Sequence, residues 1–276
     1  LILLFIGLFV YLTRYKIFKQ LNTYDVPDGK LKKHIKKVSL FGGLIFLFYI
    51  FVLLVISYFQ KNSLYLFIGE SEYRIFAFLF ASSSFFLIGL YDDKFNLNYQ
   101  IKIILFLIIT YISLGLDPSL IINKIEFSFI NKTLYLEELS KFFTILCIFI
   151  FINALNLYDG IDLQSGTYIF IYFFILGFIT NNSLFFYLLI PTILFLILNK
   201  KKEVFMGDNG TILLGFLISY FTIKIYNSSL ILSDEIFILM MLPGIDMLRL
   251  FISRLSKGKN PFIGDRNHIH HILVNK

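Results

Sequence analysis

Short polar constellations interrupt an otherwise apolar chain, and each holds side chains suited to phosphate or metal chemistry. Asp92-Asp93 follows Gly89 and Tyr91, with Lys102 one helix start later. Adjacent carboxylates repel, so they stay ionised only with a cation or hydrogen-bond donors nearby. They read either as an interfacial helix cap or as groups that manage a metal–phosphate substrate or take a proton from an acceptor phosphate, with Lys102 offsetting phosphate charge. Asn153-Ala-Leu-Asn156-Leu-Tyr-Asp159-Gly-Ile-Asp162 ends a very apolar run. On a continuing helix Asn153, Asn156 and Asp159 would share one face, while Gly160 and Gly166 predict that the helix soon breaks. In Phe205-Met-Gly-Asp208-Asn-Gly-Thr211, Asp208 reads as an N-cap. The flanking glycines equally allow a phosphate or nucleotide to approach the helix N-terminus.

The last constellation is Arg254-Leu-Ser-Lys-Gly-Lys-Asn-Pro261-Phe262-Ile-Gly-Asp265-Arg266-Asn-His268-Ile-His270-His271, with three of the four histidines of the chain. A zinc site would need further ligands, and neither a second cysteine nor a second histidine cluster exists to supply them. Diphosphate binding by Arg254, Arg266 and the imidazoles fits better. Between Asp25 and His34, Lys30 and His34 are candidates for substrate contact, although the lysine run there would serve as an orientation signal too. Asp246 and Arg249, three residues apart within an apolar run, are expected to pair, because an unpaired charge inside a membrane is costly.

The elements that must position these groups follow from composition. The chain has 276 residues, 58% of them hydrophobic, 19% aromatic and 16% charged. That leaves too little polar surface for a soluble domain. One span takes about 20 apolar residues, so nine or ten spans use roughly 180 to 200 positions and leave about 80 for loops. Continuous apolar runs such as Leu1–Val10 indicate helices rather than an alternating β-barrel. The expected fold is an all-α polytopic membrane protein, one integral membrane domain over 1–276, with candidate helices near 1–18, 39–59, 73–91, 100–116, 141–156, 166–180, 184–198, 210–228 and 235–254. Cys147 lies within such a run and reads as a packing residue. No cleavable signal pattern is present, and because the chain opens on Leu1 a few N-terminal residues are expected to be missing.

If the chain alternates sides, one face receives the loops near 19–38, 92–99, 157–165, 199–209 and 255–276. With the bordering helix ends, that face holds most of the basic residues, among them Lys30 to Lys37, Lys200 to Lys202, Lys257, Lys259 and Arg266. The positive-inside rule makes it cytoplasmic. The net charge of +7 therefore fixes topology and does not indicate nucleic-acid binding. Eight of the eleven Asp lie in these loops, whereas six of the seven Glu lie on the other side. Short carboxylates gathered on one face suit a Mg²⁺ site shared with phosphate. In the outer loop 117–140, two β-prone stretches flank Asn131-Lys132 and predict a small extracytoplasmic hairpin.

Taken in order, these motifs resemble the polyprenyl-phosphate N-acetylhexosamine-1-phosphate transferase family, and in particular its UDP-N-acetylglucosamine:undecaprenyl-phosphate branch. The resemblance runs from Asp25 to His271. It implies that Asp92, Asp93, Lys102 and Asp159 are catalytic, that Asp208 and Asn156 hold Mg²⁺, or Mn²⁺ in its place, and that Asp162, Lys30, His34, Arg254, Arg266, His268, His270 and His271 contact substrate. The implied reaction moves a sugar 1-phosphate from a UDP-N-acetylhexosamine to undecaprenyl phosphate and releases UMP, by direct attack or through an aspartyl intermediate. The implied setting is the bacterial plasma membrane, among membrane lipid, with room for a homodimer and no nucleic-acid partner.

The chain departs from the family pattern in several places. Leu163-Gln164-Ser165 replaces the usual Gly-Leu-Ala and shortens the loop by one residue, which clouds a uracil contact for Asp162. Ser39 stands where a proline usually precedes the double glycine. The histidine cluster differs from the form seen in the branch that transfers phospho-MurNAc-pentapeptide. Only five residues follow His271, so the usual closing helix is expected to be short or absent. A rival reading, a transporter or flippase, shares the hydrophobicity but predicts ionisable groups near several mid-spans.

Overall fold

The computed structural model describes residues 2–21, 23–26, 37–61, 63–69, 71–256 and 258. Among them lie α1 (Ile2–Leu21), α2 (Gly42–Gln60), the short α3 (Ser63–Ile68), α4 (Glu72–Phe95), α5 (Tyr99–Leu116), α6 (Ser140–Tyr158), α7 (Gln164–Thr180), α8 (Ser183–Lys200), α9 (Gly207–Asn227) and α10 (Ser233–Leu255). Each of the nine expected helices is present, with ends shifted by a few residues. Seven, namely α2, α4, α5, α6, α8, α9 and α10, are long and apolar enough to cross a membrane. Helix α7 is apolar but has only 17 residues. Helix α1 carries Arg14, Lys16 and Lys19 in its second half, which shortens its apolar stretch. The protein is an all-α polytopic membrane protein with small strand pairs.

Helix α9 is the central post. In its apolar stretch 94% of residues are buried, against 17% for α10, and it packs on α4, α6 and α2. Close approach requires residues without side chains at the crossings. A Cβ on Gly89 of α4 would stand 2.5 Å from Asn209 Cα, and one on Gly215 of α9 would stand 2.8 Å from Ile152 Cα of α6. Further along, Phe85 stacks on Phe216 with centroids 4.8 Å apart, and Phe78 packs on Tyr220 at 4.9 Å. Several polar side chains inside the bundle are satisfied locally: Ser219 and Thr222 donate to carbonyls one turn back, and the Tyr172 hydroxyl of α7 lies 2.5 Å from Thr222 Oγ1.

The two ends of the bundle differ. At one end, β1 (Tyr24–Asp25) pairs antiparallel with β2 (Val38–Ser39), and Ser39 bridges in parallel to Val204. The segment before α9 is thereby fixed: Phe205 N donates to Ser39 O at 2.9 Å, and Gly42 N donates to Phe205 O at 3.1 Å. Arg14 of α1, lying over Tyr11 and Tyr15, binds Glu203 at 2.7 Å in the same segment.

At the other end, fully buried Asp117 accepts from Lys224 Nζ at 2.9 Å and faces Arg74 Nε at 3.5 Å, joining α4, α5 and α9. The expected hairpin also lies there, as β3 (Lys124–Phe127) and β4 (Ile130–Tyr135). Its turn falls at Ser128-Phe129 and not at Asn131-Lys132, because Asp234 of α10 holds Ser128 through both its backbone N–H (2.8 Å) and its hydroxyl (2.6 Å).

The glycine crossings lead to a stability prediction. Gly89→Val overpacks α4 against the start of α9, a class of change that costs about 1–3 kcal/mol. Thermal unfolding in detergent should fall by roughly 2–4 °C per kcal/mol. Gly115→Ala, where a Cβ would meet nothing within 4 Å, should leave the midpoint unchanged or raise it slightly.

Candidate active site

Adjacent residues on a helix point about 100° apart, and Asp92 and Asp93 at the end of α4 accordingly do different things. Asp93 Oδ1 accepts from the backbone N–H of Asp208 at 2.8 Å, and its Oδ2 accepts from Asn209 N at 3.0 Å and Asn209 Nδ2 at 2.5 Å. Asp93 thus caps α9 from another helix, supplying the anion that the N-terminal dipole favours. The residue at the helix's own N-cap position, Met206, offers no side-chain cap. Asp208 itself lies in the first turn of α9, so the plain N-cap reading of Asp208 is replaced by a cap from Asp93.

Asp92 turns toward α5. Its Oδ1 accepts from Leu97 N at 2.7 Å and its Oδ2 from Lys102 Nζ at 2.5 Å. The same ammonium reaches Asp208 Oδ2 at 3.4 Å, and Asn156 Nδ2 of α6 donates to Asp208 Oδ1 at 2.6 Å. Asn156 also reaches Thr211 Oγ1 at 2.8 Å. Of the three charged groups Asp208 is the most open, with 35% of its side chain exposed against 10% for Asp92 and 17% for Lys102. Asp159 closes α6 as its C-cap and accepts from Ser165 Oγ. Burial pushes the Asp159 carboxyl up to about 6; the Ser165 hydroxyl opposes the shift, and repulsion from Asp208 and Asp162 adds to it.

Carboxylates from two helices, Asp92 of α4 and Asp208 of α9, therefore share the single ammonium of Lys102, an arrangement with excess negative charge that calls for a cation. Among the described residues, no three acidic, histidine or cysteine side chains group into a metal cage. That donor set suits Mg²⁺, which is commonly held by one or two carboxylates and completed by water and substrate phosphates.

Other expected groups stand elsewhere. Asn153 donates to Phe149 O at 2.7 Å within its own helix, and Asp159 lies beyond the end of α6, so the shared face expected for Asn153, Asn156 and Asp159 reduces to Asn156 alone. Asp162 is set apart from the cluster, 3.8 Å from Lys202 Nζ. It stands at the mouth of a groove of about 510 Å³ between α7 and α10, lined by Tyr158, Ile161, Thr167, Ile171, Ile175, Ile238 and Leu242 among others. Asp246 and Arg249 do pair, at 3.1 Å, and Arg254 is buried in the last turn of α10. Lys30, His34, Arg266, His268, His270 and His271 lie outside the described residues.

Sequence reasoning missed Asn199. This buried side chain at the end of α8 accepts from Leu163 N at 2.6 Å and donates to Val204 O at 2.9 Å. It ties the loop after Asp159 to the segment before Asp208, and it holds Leu163 in a left-handed conformation (φ 70°) that non-glycine residues seldom adopt. The available signal was an amide closing a very apolar helix, as Asn156 does. The roles of Asp92 and Asp93 separate in a direct measurement. Asp93→Ala should raise amide hydrogen exchange over 207–211 and cost about 1–3 kcal/mol of stability, whereas Asp92→Ala should leave exchange at those amides unchanged.

The description of glycosyl transferase family 4 matches residues 75–226, the stretch that carries Asp92, Asp93, Lys102, Asn156, Asp159, Asn199 and Asp208. The chain is similar to the undecaprenyl-phosphate alpha-N-acetylglucosaminyl 1-phosphate transferase of Salmonella typhi, 26% identical over 296 residues, covering 99% of this chain and 74% of the relative. The protein of the same name from Escherichia coli (strain K12) is 26% identical over 289 residues with the same coverage. That from Thermotoga maritima is 28% identical over 269 residues, covering 94% of this chain and 75% of its own. With more than half of its length matched by the family description, the chain belongs to glycosyl transferase family 4.

Proposed function

We propose that this membrane protein transfers an N-acetylhexosamine 1-phosphate, GlcNAc-1-phosphate above all, from its UDP-sugar to undecaprenyl phosphate, giving the undecaprenyl-diphosphate sugar and UMP. This starts a lipid-linked glycan at the cytoplasmic face of a bacterial plasma membrane. The observation that carries the reading is the meeting of Asp92, Asp208, Asn156 and Lys102 at one end of the bundle, and an apolar groove between α7 and α10, lined by Asp162, accompanies it. A transporter would instead distribute its ionisable groups along the spans. The names of the relatives support the substrate class, and the basic loops at the site end support the orientation.

In this reading an oxygen of the lipid phosphate attacks the phosphorus that bears the sugar. A new P–O bond forms as the P–O bond to UMP breaks. The obstacle is bringing two polyanions together, and positioning with charge compensation is the main task. Mg²⁺, or Mn²⁺, held by Asp208 and by the amide oxygen of Asn156, would neutralise the diphosphate and the charge that develops on the leaving UMP. Lys102, already between Asp92 and Asp208, balances the acceptor phosphate. Asp92 is the base that takes any proton left on it. Asp93, with both oxygens occupied by the start of α9, holds Asp208 in place. Asp162 at the groove mouth and Arg254 at the end of α10 are assigned to the substrates. The groove follows α7 from Gln164 to Ile175, about 17 Å of helix, and takes the first isoprene units of the acceptor.

Membranes supplied with undecaprenyl phosphate, Mg²⁺ and a panel of UDP-sugars should release UMP with a UDP-N-acetylhexosamine. No release from any of them by a folded preparation overturns the assignment. Asp92→Asn should lower kcat by about 10²–10⁴, the span typical of general acid–base catalysis. Asp208→Asn should abolish the response to Mg²⁺, and full Mg²⁺-dependent activity in that variant would remove Asp208 as a ligand. The groove makes a separate prediction. Ile171→Trp should raise KM for undecaprenyl phosphate and for a short-chain prenyl phosphate while leaving KM for the UDP-sugar unaffected; unchanged KM for both acceptors would place the lipid tail elsewhere.

A further inference from the structure

The β3–β4 hairpin is rigidly mounted yet carries an apolar tip that no described part of the chain covers. Its base is held by α9, where Tyr226 Oη accepts from Glu126 N at 3.0 Å and donates to Lys124 O at 2.9 Å. Its turn is held by α10 through Asp234 and Ser128. The polar side of the hairpin is internally satisfied, with Lys124 Nζ 2.9 Å from Glu126 Oε1 and Thr133 Oγ1 donating to the same oxygen at 3.2 Å. The other side and the tip present Phe127, Phe129, Ile130 and Leu134, with Phe129 72% and Leu134 60% exposed. The Phe127 and Phe129 rings lie 5.4 Å apart. An isolated two-stranded hairpin is marginal in water, and here its largest side chains face outward.

Both mounting points are ends of membrane spans. One turn beyond Asp234, Phe237 and Ile238 of α10 are more than 60% exposed, as are Leu139 and Phe142 where the chain enters α6 after β4. The apolar surface of the hairpin therefore continues a lipid-facing surface, at the end of the bundle opposite the carboxylates. Phe and Leu side chains on an otherwise polar element are the kind that bury at the boundary between headgroups and acyl chains. The tip offers a few hundred Å² at most, short of the roughly 800 Å² per partner of a stable dimer face. We propose that the tip of this hairpin inserts into the headgroup–acyl boundary of the leaflet opposite the active site and so sets the depth of α9 and α10 in the bilayer.

The chain contains no tryptophan and 17 tyrosines, so Phe129→Trp introduces a single tryptophan that can be excited selectively at the red edge of the tyrosine absorption. In phosphatidylcholine–phosphatidylglycerol nanodiscs, lipids brominated near the glycerol end of the acyl chain should quench its emission, and aqueous iodide should not. Leu134→Trp on the other strand should behave alike and covers the case in which the first variant fails to fold. Quenching by iodide without quenching by brominated lipid overturns the proposal in favour of an aqueous tip. Protection from both quenchers, in nanodiscs holding two copies but not one, overturns it in favour of a second copy of the chain.

Discussion

The N-terminus of α9 is the point on which the rest of the molecule depends. Its first amides need acceptors, and Met206 supplies none from the helix's own side. The acceptor comes from α4, where Asp93 takes the N–H groups of Asp208 and Asn209 together. One carboxylate thus satisfies two amides, fixes the crossing of two membrane helices and fixes the direction in which Asp208 points. The glycine crossing at Gly89 lets the backbones approach closely enough for those bonds to form. Removing the carboxylate would therefore disturb a metal-binding geometry and a helix packing at once, and a loss of activity alone could not identify Asp93 as a chemical participant.

The two ends of the bundle use charge in opposite ways. At the far end Asp117 is wholly buried and surrounded by Lys224, Arg74, Tyr220 and Ser119, so its charge is spent on holding helices together. At the site end the carboxylates outnumber the cation that joins them, and Asp208 remains accessible. A closed network suits an anchor, whereas an unbalanced one keeps its affinity for a cation and the phosphates that come with it. The loops that carry the unbalanced charges are still held firmly, by Asn199 between Leu163 and Val204 and by the short strand bridge from Ser39.

Most of the helical plan was legible in the sequence because continuous apolar runs broken by polar loops leave few alternatives in a bilayer. The pairing of Asp246 with Arg249 was legible too, since both the cost of an isolated charge and the spacing pointed to it. The site was legible by residue type and loop but not by role. Helical phase says that Asp92 and Asp93 diverge; it does not say which helix each one meets. Asn153 looked equivalent to Asn156 by spacing, yet it spends its amide on its own backbone. The hairpin turn was misread because the acceptor that fixes it, Asp234, lies more than a hundred residues away in sequence. Asn199 escaped notice because it joins two loops, through Leu163 and Val204, whose proximity is a property of the fold.

The burial of α9 also bears on how the protein is made. Helix α9 is the least apolar of the seven membrane-crossing helices and is almost fully surrounded by protein. A segment of that kind gains little from lipid, and its stability in the bilayer comes from its neighbours, chiefly the crossings with α2, α4 and α6. All three precede it in the chain, so its packing partners have been synthesised before it leaves the ribosome. The post that carries Asp208 is therefore made after the helices that bury it, and its place in the bilayer depends on theirs.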